Sequence, residues 1–176
     1  MKRRPLPRAP IRAALAALAL VLLPGAGQAA DPPVLSTTRQ LTLESAKLAA
    51  DAALEACRSQ GATVAVAVTE RSGLPLVMLR DPLAGMHTPD TALAKARTAI
   101  SFKSSTSDLL RATGPDTPNG GIRHLPGVVV LGGGLLVEAA GSVVGGIGVS
   151  GAPSGQLDED CAREGIEAIS DMLEFG

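Results

Sequence analysis

The sequence predicts an α+β domain built on a five-stranded, mostly antiparallel sheet flanked by helices. Three observations carry that prediction. Apolar residues recur at spacings of three and four in Leu41–Ser59 and Leu157–Leu173, the periodicity of amphipathic helices. Short runs rich in Val, Ala and Leu lie between them, parted by Ser72-Gly73, Gly132-Gly133-Gly134 and Ala140-Gly141, which suit hairpin turns. Helices and hairpins alternate in the order α-β-β-α-(α)-β-β-β-α, with no internal repeat and no second domain.

The first helix buries Ala46, Ala49, Ala50, Ala53, Leu54 and Cys57, with Thr42 able to cap its start and Gly61 following its end. Thr63–Thr69 (TVAVAVT) reads as a strand of β-branched and small residues, and Leu74–Arg80 returns beside it. Pro75 lacks a backbone N–H for a ladder, which places that second strand at a sheet edge. Thr91–Ile100 is a helix with Leu93, Ala96, Ala99 and Ile100 on one face, and a short helix spans Thr106–Arg111. Thr113–Pro126 is a loop rich in Gly and Pro, of a length that is uncommon in compact domains and often functional. Three strands follow, Val128–Leu131, Leu135–Ala139 and Ser142–Val149, before the terminal helix.

Residues 1–29 read as a cleaved secretory signal peptide. Lys2, Arg3, Arg4, Arg8 and Arg12 form a basic start, and Ala13–Leu23 is an apolar run. Gly27 and Ala29 fit the −3 and −1 positions of a cleavage site. The apolar run is shorter than the roughly 20 residues needed to cross a bilayer. Residues 30–40 are then a polar arm and 41–176 the domain, in a periplasmic or secreted protein with no membrane attachment after cleavage. Without the leader, 11 Lys and Arg face 17 Asp and Glu, a net charge of −6 that argues against nucleic-acid partners. The absence of Trp and Tyr also argues against base stacking.

Cys57 and Cys161 sit in the first and last helices. In an exported chain they read either as a disulfide, formed if those helices pack antiparallel, or as two buried small hydrophobes. Gly146-Ile147-Gly148-Val149-Ser150-Gly151 matches the dinucleotide-binding GxGxxG string, but Pro153 interrupts and no helix opens directly on the glycines. The acids Asp158, Glu159 and Asp160 read as complements to a helix N-terminus in preference to a cation site. No spacing nominates a hydrolase triad, which disfavours an enzyme of acyl transfer.

Two histidines remain as candidate metal ligands. His87 lies in the segment DPLAGMHTPDTALAKARTAISF, in a loop directly before a helix for which Thr88 is a suitable N-cap and Pro89 a suitable first residue. His124 lies in the long Gly/Pro loop. Each also reads as a solvated loop residue or a hydrogen-bonding strut. A haem site needs an axial ligand, apolar surface and cations for the propionates. His87 supplies the first, with Met86 and Met78 as alternatives, and Arg80, Lys95 and Arg123 are cations nearby in sequence. The shortage of aromatic residues favours an open site, or one completed by a neighbouring subunit.

The chain resembles the GlcG/HbpS family over roughly Leu41–Leu173. The resemblance is carried by LTLESAKLAADAALEA, by KARTAISF, by PGVVVLGGGLLV and by GSVVGGIGVSGA, followed by a helix containing DEDCA. It implies a profilin-like fold, symmetric oligomers, and haem binding in several members, which include exported proteins and a domain attached to corrinoid adenosyltransferases. The GMHT loop resembles that of a subgroup, so the resemblance points to His87 as the haem-iron ligand, with Thr88 at the lip of the site. The expected function is reversible binding of haem b for scavenging, storage or sensing. The alternatives are an accessory subunit or enzyme of small-molecule catabolism, binding an anionic metabolite at His87, Arg80 and Lys95, or a ligand-free oligomeric interaction module.

Overall fold

Thr42 starts the first helix because its hydroxyl accepts a hydrogen bond from the Ser45 N–H, satisfying an otherwise orphaned donor. The computed structural model describes residues 34–175. The signal-peptide assignment, its cleavage site and the start of the arm lie outside those residues. Thr37–Gly176 forms one compact unit. Its elements are α1 (Leu43–Ser59), β1 (Ala65–Glu70), β2 (Pro75–Arg80), α2 (Thr88–Phe102) and α3 (Thr106–Ala112), then a 3-10 turn at Gly120–His124. β3 (Gly134–Ala139), β4 (Ser142–Ser150), α4 (Gly155–Glu167) and α5 (Ser170–Phe175) complete it.

The sheet has four strands in the order β2-β1-β4-β3, every neighbouring pair antiparallel. The expected fifth strand, Val128–Leu131, is not a strand. Its Val129 N–H donates to the Thr98 hydroxyl at 3.0 Å, so an α2 side chain takes the place of a ladder partner. Pro75 sits where expected, on edge strand β2. The terminal helix is also shorter than its periodicity suggests, ending at Glu167 and resuming at Ser170 as α5.

Strand alternation decides how the layers stack. Val64, just before β1, and Val66 and Val68 within it join the core beneath α1 and α4, while Ala65 and Ala67 face the other way and meet Ala92 of α2. β4 follows suit: Ile147 and Val149 enter the large core, and Gly146 and Gly148 lie under α2. Small residues on one face let the α2 backbone settle onto the sheet. A Cβ at Gly148 would sit 2.0 Å from the Ala92 carbonyl oxygen and 2.9 Å from the Ala96 nitrogen. The first two glycines of the GxGxxG string are therefore helix-packing residues of a central strand. Because the obstruction is backbone, Gly148→Ala is expected to cost at least the ~1–3 kcal/mol typical of overpacking, read as a lower urea midpoint.

α1 and α4 pack on each other over the opposite face. There Cys57 and Cys161 form a disulfide with Cα atoms 5.4 Å apart, closing a sequence separation of 104 residues. The bridge is buried, and no free cysteine remains. No helix among the described residues is long and apolar enough to cross a membrane.

Candidate functional site

Gly151 ends β4 with φ +130°, a conformation suited to glycine, and turns the chain into Ser154, whose hydroxyl accepts the Leu157 N–H to begin α4. A groove of about 530 Å³ opens between this turn and the loop that precedes α2. Leu83, Gly85, His87 and Thr88 form one wall and Gly151–Gly155 the other. Leu110 and Leu131 add apolar surface, and Ser150, Lys95 and Asp158 also line it.

The loop from Asp81 to His87 is fastened at its root. Arg58 of α1 donates to Asp81 Oδ1 from Nε at 2.9 Å and from Nη2 at 2.6 Å, while the Val64 N–H donates to Oδ2 at 3.2 Å. Beyond that root Leu83 and Met86 are exposed, Met86 by 91%. His87 is exposed as well, and its side chain makes no capping hydrogen bond to the α2 N-terminus. It occupies the cap position of α2, one residue earlier than the sequence suggests. Thr88 is not the N-cap: it is the first helical residue, buried, with its hydroxyl donating to the Gly85 carbonyl at 2.8 Å.

Lys95 is not the free cation its sequence position suggests. Its side chain is 2% exposed, and Nζ donates to Asp158 Oδ2 at 2.7 Å and to the Val149 carbonyl at 2.8 Å. Asp158 Oδ1 accepts the Ala152 N–H at 3.0 Å, so the pair also ties the Gly151–Gly155 turn to α2. Burial lowers the Lys95 pKa from the ordinary amine value, and the Asp158 carboxylate works against that shift. Gly133, at φ +115°, leaves the space the pair needs: a Cβ there would lie 2.6 Å from Asp158 Cβ and 3.0 Å from Lys95 Nζ. The leading acid of α4 thus serves as a buried counter-ion, beyond complementing the helix dipole.

Arg80 does not line the groove. Its guanidinium donates to the carbonyls of Pro82 and Ala84, bracing the His87 loop from below. His124 lies exposed at the end of the 3-10 turn and is not part of the groove lining, and neighbouring Arg123 is spent on the carbonyls of Thr113 and Leu110. Of the residues singled out from sequence, the fold brings together His87, Thr88 and Lys95 and leaves Arg80 and His124 outside. Asp158, Ser150, Leu110 and Leu131 join the groove without having been expected there. A signal for the first exists, because Lys95 falls on the same helical stripe as Ala92, Ala96 and Ala99, where a lysine needs a buried partner. Among the described residues no group of three or more His, Cys, Asp and Glu is placed to hold a metal ion.

The family described as "Haem degrading protein HbpS-like" matches residues 41–167. A double-mutant form of HbpS from Streptomyces reticuli is 40% identical with a TM-score of 0.73, covering 91% of this chain and 99% of that one. The crystal structure of a PduOC:heme complex is 32% identical with a TM-score of 0.70, covering 74% of this chain and 95% of that one. The corrinoid adenosyltransferase PduO of Salmonella typhimurium is 34% identical over 121 residues, which are 68% of this chain and 36% of PduO. The chain therefore spans about a third of that curated relative's length.

Proposed function

The chain belongs to the HbpS-like family, and from that premise we propose that it binds haem b reversibly in the groove beside His87, outside the cytoplasm. The observation that carries the reading is the His87 imidazole, exposed and not spent on capping α2, on the wall of a groove with apolar Leu83, Leu110 and Leu131. The residues present fit the group: His87 would ligate the iron, and the leucines would lie against the porphyrin. Bound haem would supply a redox-active iron able to take a further ligand. The cations expected at the propionates are engaged elsewhere, Lys95 with Asp158 and Arg80 with the loop carbonyls. The propionates therefore face solvent in this reading. The basic and apolar leader supports export to the periplasm or medium. The exposed Leu83 and Met86 support a homo-oligomer that covers the open side.

Hemin titration of the mature protein tests the reading. A saturable, shifted Soret band is expected, and His87→Ala should weaken affinity at least about tenfold, or 1.4 kcal/mol. His124→Ala should change it far less. Wild-type affinity in His87→Ala would overturn the ligand assignment, and no saturable band in wild type would overturn haem binding itself. Loss of the band when a reductant and O2 are both supplied, with the band kept when O2 is excluded, would extend the function from binding to oxidative degradation.

A further inference from the structure

We propose that Gly85 is a positioning residue that sets the direction of the His87 imidazole, with Arg80 bracing the loop that carries both. The inference rests on the haem reading above and names what aims its ligand. Metal-ligating histidines are ordinarily oriented by a hydrogen bond from the second ring nitrogen to a carboxylate or carbonyl. The His87 side chain makes no capping hydrogen bond here. Its Nδ1–Cε1 edge instead lies against Gly85: a Cβ built there would be 2.7 Å from Cε1 and 3.0 Å from Nδ1. The next atom it would meet, Thr88 Cγ2, is 3.6 Å away, an ordinary contact. Gly85 is not among the glycines with positive φ, so its backbone accepts a side chain. The ring is therefore the one neighbour that must give way if Gly85 gains a methyl group. Arg80 holds the carbonyls of Pro82 and Ala84, which fixes Gly85 relative to β2.

The test is Gly85→Ala in the full mature chain, alone and with His87→Ala. The single variant should keep the wild-type circular dichroism spectrum and melt. In the apoprotein the His87 imidazole proton resonances should shift while those of His124 stay, an assignment simplified by there being two histidines. Hemin affinity should fall about three- to tenfold, the scale set by forcing a side chain off its preferred rotamer, with a changed spin-state spectrum. In the His87→Ala background Gly85→Ala should add nothing, since a residue acting through another has no effect once that one is gone. Unmoved His87 resonances, or an equal loss of affinity in both backgrounds, would overturn the proposal. If wild type binds no hemin the functional reading fails, and the apoprotein resonances still decide the positioning role.

Discussion

Lys95→Ala is expected to lower the unfolding free energy by about 3–5 kcal/mol, the usual cost of removing one partner from a buried ion pair. The change strands the Asp158 carboxylate, 4% exposed, with the Ala152 N–H as its remaining donor, and it leaves the Val149 carbonyl unpaired. Asp158→Ala should cost a similar amount by isolating the ammonium instead. The double change Lys95→Met with Asp158→Leu should recover most of the loss, because apolar residues of similar volume replace buried pairs at little cost. Urea unfolding with the slope held constant reads all three. A single-variant loss within about 0.5 kcal/mol of wild type, the range of ordinary surface changes, would show that the pair is solvated in solution.

Replacing Cys57 and Cys161 together by alanine should cost about 2–5 kcal/mol. The loop closed is long, and the chain-entropy model gives about 4.7 kcal/mol for one of roughly 100 residues. Both sulfurs are buried where α1 meets α4, so the alanines add a small cavity to the lost cross-link. The melting temperature of wild type should fall toward that of the double variant on reduction. Thiol labelling under denaturing, non-reducing conditions should find no free cysteine. Two labelled thiols in protein that has not been reduced would contradict the bridge.

The helices are legible because their apolar spacing is local information, and Thr42 and Gly61 mark the ends of α1 in the letters themselves. The bridge is half legible: each cysteine's helix can be read, but their meeting depends on α1 and α4 packing, a long-range fact. Val128–Leu131 has strand letters and fails as a strand because Thr98, some 30 residues earlier, supplies the partner for Val129. Arg80 and Lys95 are legible as cations near His87, whereas the groups that occupy them are not. The carbonyls that engage Arg80 lie in the turn after β2, and the groups that engage Lys95 come from β4 and α4, which no spacing rule joins to α2. Thr88 shows the finest limit: an N-cap signal and a Pro signal agree on a helix start and still miss it by one residue.

Arg58 follows Cys57 directly and grips the root of the His87 loop, while Asp158 stands one turn ahead of Cys161 and grips the opposite wall through Lys95 and Ala152. Both walls of the groove are thus anchored beside the two ends of a single cross-link. During synthesis Arg58 emerges before Asp158, which follows its partner Lys95 by 63 positions. A nascent chain that stops short of α4 has a lysine with no counter-ion for its buried place on α2, so desolvation opposes docking of that helix on the sheet. The α2 side of the cleft therefore depends on a residue of α4.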